Sequence, residues 1–277
     1  MFGSLSTAVS GLDYFQNQLE VIGNDVANSN TTAFKSGRVE AVDNFNKYFS
    51  PGNTTASSVQ IGSGVSTSAV TTNFQTGAIT ATGVATDMAI NGSGYFMVKD
   101  PTTNATYATR DGSFKLDSQN YLVNSAGYRV QGYSDGGLST TSDIKIDTAG
   151  LNLPTGVSVV GTTYNITSDG KISYTGSDGN TYTRGQVLLQ NFSNQNALVN
   201  QGGNMYSNTA AAGPLAAQTA PGTAATGLLK VKALEQSNVD LASELTSLIT
   251  MQRGYQANAR IVTTNDDILQ EVVNLKR

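Results

Sequence analysis

The sequence predicts a mainly β centre flanked by a long α-helix at each end, α+β overall, with the two helices pairing as a coiled-coil-like inner domain. Three observations carry this: apolar residues recur at helical spacing at both ends, β-rich runs alternate with Asp-Gly turns between them, and Gly/Ala/Thr/Pro-rich stretches lie near the joins. Near the amino end, Leu5, Ala8, Leu12, Phe15, Leu19, Ile22 and Val26 step alternately by three and four. Such a heptad seam keeps one narrow stripe turned towards a partner helix. Ser4 or Ser6 can cap its start, and the Asn28-Ser29-Asn30-Thr31-Thr32 run, poor in helix formers, ends it, giving a helix over about 4–28.

Towards the carboxy end, Leu241, Leu245, Leu248, Tyr255, Ala259, Val262, Leu269 and Val273 form a matching seam, with a second row through Ile261, Ile268, Val272 and Leu275. The run from Val239 to Leu275 holds no Pro, and Ser237 or Asn238 followed by Asp240 suits a capped start. A helix of roughly 35 residues is long by globular standards. Gln252 and Asp266 interrupt its seam, and Gly11 and Gly23 weaken the first helix by about 1 kcal/mol each. Two readings stay open from pattern alone: the helices pack on the centre as ordinary amphipathic elements, or they form a paired terminal module for assembly.

Strand-like runs fall at Val65–Phe74, Ala89–Val98, Ala105–Thr109, Ser113–Leu116, Tyr121–Val123, Tyr128–Tyr133, Ile144–Ile146, Val157–Val160, Lys171–Tyr174 and Gln186–Phe192. Asp111-Gly112, Asp135-Gly136-Gly137, Asp169-Gly170 and Asp178-Gly179-Asn180 supply residues able to take positive φ in hairpin turns, so the sheet is expected to be antiparallel. The expected division is a discontinuous helical domain, 1–37 plus 231–277, around a β-rich domain, 38–230. Flexible connectors are expected at 49–58 and 209–227.

Composition narrows the chemistry. Charged residues make up 13% of the 277 and the formal net charge is −4, so no basic field suits nucleic acid. The chain has no Cys, His or Trp, which removes thiolate nucleophiles, imidazole bases and Cys/His metal sites. No catalytic residue, metal ligand or cofactor site is expected. Gly62-Ser63-Gly64 and Gly92-Ser93-Gly94 lack the third glycine and following helix of a dinucleotide loop, and a close strand crossing or a bulge is the better reading. Asp111 to Asn120 lacks the spacing of a calcium loop, and the adjacent Asp266 and Asp267 diverge by about 100° on a helix. No secretory signal or run of about 18–20 apolar residues is visible, so membrane insertion is not expected.

Three segments carry a resemblance. Gly23 through Ser36, including Asn24, Ala27, Asn28, Thr31, Phe34 and Lys35, resembles the amino-terminal signature of bacterial flagellar rod and hook proteins. Ser237-Asn238-Val239-Asp240-Leu241 and Gln252-Arg253-Gly254-Tyr255 are similar to the carboxy-terminal counterpart, and Ile90-Asn91-Gly92-Ser93-Gly94-Tyr95-Phe96 to a central Gly-x-Gly-aromatic-aromatic element. The resemblance implies a structural, non-enzymatic axial subunit in the flagellar hook or basal body, exported by the flagellar type III apparatus without a cleaved signal. It would polymerise into a hollow helical tube that transmits motor torque, touching copies of itself and adjoining rod, hook-cap and junction proteins.

Within the family, Phe34-Lys35-Ser36 and the ending Ile268 to Leu275 are more similar to the hook protein, which is the first expectation. A distal rod protein is the alternative, because only 134–184 stands where many hook proteins carry large inserted domains. A secreted β-rich adhesin or binding module is the reading from another class.

Overall fold

The computed structural model describes residues 2–44, 47–50, 59–148, 151, 154, 157–207, 209–215, 217–223 and 226–274. The chain divides into two compact units: Met1–Ser29, Lys35–Asn73 and Val239–Arg277 make the first, and Asn30–Phe34 with Phe74–Asn238 the second.

The first unit holds both helices, α1 (Phe2–Ala27) and α2 (Leu241–Asn274). Each lies within two residues of its expected bounds. The cap of α2 is Asp240, whose carboxylate accepts from the Ala242 N–H at 3.0 Å, rather than Ser237 or Asn238. Four short strands accompany the helices: β1 (Gly37–Asp43), β2 (Lys47–Ser50), β3 (Val59–Ile61) and β4 (Val65–Thr72). β1 pairs antiparallel with β4 through a bulge at Glu40/Ala41, and β2 pairs with β3. α1 is stitched to this ribbon by polar contacts: Asn17 Nδ2 donates to Thr67 Oγ1 at 3.0 Å, and Val65 N to Ser10 Oγ at 3.3 Å. The expected connector at 49–58 lies outside the described residues except for Phe49 and Ser50, which end β2.

Among its described residues the second unit holds strands and a short 3-10 turn at Gln195–Ala197. Its strands are β5 (Ile79–Ala81), β6 (Met88–Asn91), β7 (Tyr95–Lys99), β8 (Thr106–Thr109), β9 (Lys115–Leu116), β10 (Leu122–Val123), β11 (Arg129–Tyr133) and β12 (Thr141–Asp143). They continue as β13 (Val159–Ile166), β14 (Lys171–Gly176), β15 (Thr181–Val187), β16 (Leu189–Gln190), β17 (Val199–Asn200), β18 (Met205–Ser207), β19 (Leu228–Val231) and β20 (Ala233–Glu235). The main sheet runs β13-β14-β15-β11-β7-β8-β18-β17, and the described pairings are antiparallel.

β7 sits at its centre and is buried on both faces, so its residues alternate between two cores. Phe96 and Val98 join Met88, Ile90, Phe114 and Leu189, while Tyr95 and Met97 join Phe192, Tyr206 and Ala212.

Three sequence expectations need correction here. Ala89–Val98 is two strands, because Gly92 and Gly94 turn the chain at φ 119° and 128°. Gly227 presses on that turn: a Cβ on Gly92 would stand 3.0 Å from Gly227 Cα, and Gly227 N donates to Ser93 O at 2.7 Å. The diglycine segment is therefore a close chain crossing. Gly112 does not take positive φ; it is needed because a Cβ there would collide with the Met88 carbonyl. The stretch expected as a flexible connector at 209–227 is laid against the sheet instead. Ser193 N donates to Gly213 O at 2.9 Å, Leu215 N to Asn191 O at 3.0 Å, and Thr219 exchanges two bonds with Leu189. Small residues there let the backbone lie close, and Ala212 is fully buried.

Candidate functional site

The terminal helices carry most of the residues singled out for assembly. They run antiparallel in a constant register, shown by the facing pairs Ser4/Asn265, Gly11/Asn258 and Phe15/Gly254. A Cβ on Gly11 would run into the Asn258 amide, and one on Gly254 would stand 2.6 Å from Phe15 Cζ. One glycine on each helix therefore permits the close approach, and Gly11 is not merely a weak point. Replacing Gly254 with Leu is expected to force the helices apart and lower the melting temperature of the first unit, read by circular dichroism at 222 nm. An unchanged or raised melting temperature would show that the contact is loose.

Of the amino-terminal seam, Ala8 and Ile22 are buried, and Leu5, Leu12, Phe15, Leu19 and Val26 are half-buried. α2 is different. Its half-buried positions are Glu244, Ser247, Leu248, Met251, Gly254, Asn258, Ala259, Val262, Asn265 and Leu269. Among these, Gly254, Asn258 and Asn265 meet Phe15, Gly11 and Ser4 of α1, so small and polar residues share the half-buried stripe with Leu248, Met251, Val262 and Leu269. Leu241, Leu245, Tyr255 and Val273 of the expected seam remain 43%, 50%, 38% and 68% exposed. Ile249, which the seam omitted, is 58% exposed and sits one turn beyond Leu245. Leu241, Leu245 and Ile249 thus form an apolar row about a quarter-turn or more from the α1-facing row. Ile261, Ile268 and Val272 form another, on the opposite side of that row in the carboxy-terminal half.

Where α1 ends, the Asp25 carboxylate is buried and accepts from the Gly37 N–H at 3.0 and 3.2 Å, fixing the start of β1. Burial pushes its pKa up to about 6; the Gly37 hydrogen bond opposes this and the negative charge of Glu244 adds to it. Burial, with Asp240 nearby, also raises Glu244. Asp25 holds a proton in the folded chain between about pH 4 and pH 6 that the unfolded chain has released, so stability falls as pH rises through that window. The expected loss is about 2–3 kcal/mol from pH 4 to pH 7, at about 1.4 kcal/mol per pK unit. Urea unfolding followed at 222 nm across that range checks it. Asp25→Asn should flatten the profile, and a wild-type profile flat or rising with pH would refute the assignment.

The signature residues are dispersed. Asn24 O and Oδ1 both accept from Asn28 Nδ2 at 2.9 Å, closing the helix end beyond the exposed Ala27. Lys35 is buried in the first unit. Thr31 O accepts from Phe34 N at 3.4 Å, and Asn238 N donates to Phe34 O at 3.4 Å, within the second unit. Ser237 adjoins that contact, while Gly92, Gly94 and the fully buried Phe96 belong to the β6–β7 turn and core. Gln252 and Arg253 are exposed on α2, with Arg253 Nη1 3.3 Å from Gln256 Oε1.

The acidic turns spend their oxygens on backbone: Asp117 Oδ1 accepts from Gln119 N and Tyr121 N, both at 2.8 Å, and Asp111 Oδ1 from Ser113 N at 3.0 Å. Among the described residues there is no group of His, Cys, Asp or Glu able to hold a metal, and no helix is long and apolar enough to cross a membrane.

Three family models match: the flagella basal body rod protein model over residues 5–35, the flagellar hook protein FlgE/F/G D1 domain over 89–174, and the flagellar basal body rod FlgEFG protein C-terminal model over 230–275. The chain is 38% identical to the flagellar basal-body rod protein FlgG of Bacillus subtilis (strain 168), all of both chains being covered. It is 34% identical to FlgG of Caulobacter vibrioides, over 99% of each chain. Similarity to the flagellar hook protein FlgE of Escherichia coli (strain K12) is 26% over 414 aligned residues, covering 99% of this chain and all of that one. Matched from end to end, the chain belongs to the flagellar basal-body rod and hook protein family, structural proteins of the bacterial flagellum.

Proposed function

We propose that this chain is a subunit of the flagellar basal-body rod, the distal rod alternative rather than the hook. The observation that carries it is the full-length match to a rod protein at 38% identity, with no large insertion. The hook relative reaches 26% only over 414 aligned residues, which requires long gaps in a chain of 277. Two short terminal segments, Phe34-Lys35-Ser36 and Ile268 to Leu275, favour the hook, but the full-length match to rod proteins supports the rod more strongly.

In this role the two terminal helices pair in a coiled-coil-like inner layer of a hollow helical homopolymer, with the β unit as its outer part. Neighbouring copies cover the exposed rows of α2, and the subunit is exported without a cleaved signal to join adjoining axial proteins. The exposed Leu241, Leu245 and Ile249 support this, since a helix whose apolar residues are left in water gains by association. Immunogold labelling of isolated hook–basal bodies with antibody to this chain tests the assignment. Label confined to the rod is expected; label along the hook would restore the hook reading, and label elsewhere on the cell surface would favour an adhesin.

A further inference from the structure

Three stretches of the second unit lie next to the places where the chain passes to or from the first: 30–34, 74–78 and 235–238. They converge on one buried side chain. Glu235 is 1% exposed; its Oε1 accepts from Gly77 N at 2.9 Å, and its main-chain carbonyl accepts from Ala33 N at 2.9 Å. Its Oε2 lies 3.6 Å from Arg110 Nη1, and the Arg110 side chain is 3% exposed. Arg110 Nη1 in turn donates to Thr76 Oγ1 at 3.2 Å, and its guanidinium stands 5.1 Å from the Tyr95 ring centroid.

The neighbouring bonds tie in the same stretches. Asn204 Nδ2 donates to Thr32 O at 2.6 Å, Thr32 Oγ1 to Asp111 Oδ1 at 3.3 Å, Gln236 N to Ala78 O at 2.8 Å, and Asn238 Nδ2 to Gln75 O at 3.1 Å. Ala33 takes φ 55° to make this turn. A Cβ on Gly77 would collide with the Gln236 carbonyl, so only glycine lets the second and third stretches meet.

We infer that Arg110 and Glu235 form a clasp that holds the three stretches together, so that the β unit closes only when the amino-terminal insert and the final strand are both in place. A buried guanidinium is strongly destabilising unless a carboxylate meets it, and so is a carboxylate buried without its partner. Before β20 arrives, Arg110 has no buried partner of opposite charge among the described residues, because Glu235 is the carboxylate that meets it. The last described strand of the unit therefore neutralises a charge set in its interior by the end of β8, and in docking it fixes Ala33 and Gly77 through their N–H groups. A chain held extended, or one lacking either end, leaves this corner open while β7 and its neighbours can still pair.

Glu235→Gln in the full chain tests this, since glutamine keeps an acceptor for Gly77 N but removes the charge. Amide hydrogen exchange is expected to accelerate tenfold or more at Ala33, Gly77 and Gln236, with Phe96 and Val98 in β7 staying protected. Unchanged exchange at those three amides would overturn the clasp. So would an equal loss of protection across β7, which would make the pair an ordinary core element. Should Glu235→Gln fail to fold, Arg110→Gln, which removes the other charge of the pair, is read at the same amides with the same two overturning outcomes.

Discussion

Leu245→Asp is expected to abolish polymerisation while leaving the monomer's helix content and melting temperature near wild type. Leu245 is 50% exposed on α2, so a monomer loses little by the change. The helix-propensity cost is about 0.5 kcal/mol, part of it returned because a carboxylate in the first turns of a helix faces the positive end of its dipole. In a polymer the balance reverses. Covering the remaining apolar surface of a leucine yields about 1 kcal/mol, and that gain is lost. An aspartate placed there instead is desolvated against an apolar neighbour at a cost of several kcal/mol. Every subunit carries the change, so a critical concentration higher by about a hundredfold or more is expected, at 1.4 kcal/mol per tenfold. Sedimentation and negative-stain microscopy of wild type and variant at matched concentration read it. Filaments at the wild-type critical concentration would show that the Leu241–Leu245–Ile249 row is not the assembly surface. Unfolding of the β unit along with the helix would place Leu245 in the monomer's own packing.

The positions of the helices could be read from the sequence because a period near 3.6 repeated over many turns outweighs local noise. The covered surface of α2 was legible only in part, since Leu248, Ala259, Val262 and Leu269 of its expected seam are half-buried while Leu241, Leu245, Tyr255 and Val273 are exposed. Hydropathy follows apolar residues, whereas the side of α2 that meets α1 also carries Gly254, Asn258 and Asn265, which close approach and amide contacts place there. The heptad pattern thus located the apolar residues of α2 without saying that several of them stay in water. β7, β11 and β14 were legible as short β-rich runs next to turns, but β1 was missed because the bulge at Glu40/Ala41 breaks its alternation. Composition misled at 209–227, where Ala, Gly and Thr suggest a loose linker and instead let backbone lie on backbone. Glu235 gave no signal at all, since a buried charge is marked only by its partner, and Arg110 is distant in sequence.

Phe96→Ala is expected to be the most damaging single substitution in the β unit, costing about 3–5 kcal/mol. Phe96 is fully buried, packs edge-on against Phe114 at 5.1 Å between ring centroids, and pairs across the sheet with both Thr109 and Leu189. Truncation leaves a ring-sized cavity where β7 joins its neighbours, walled on two sides by strands that cannot collapse without breaking ladder bonds. Against a typical total of about 5–15 kcal/mol, this is a large share of the stability, and a unit of this size should melt about 10 °C lower or more. Phe96→Leu keeps most of the volume and should cost clearly less. Near-ultraviolet circular dichroism of the tyrosines during thermal unfolding reads the β unit, because Tyr95 and Tyr206 are buried on the other side of β7. The outcome also decides what the Gly-x-Gly-aromatic-aromatic element is for. If it is a core element, the variant is unstable as a monomer and assembles poorly as a consequence. If Phe96→Ala melts within about 1 kcal/mol of wild type yet fails to polymerise, the ring serves an intersubunit contact instead, and the central place given to β7 is wrong.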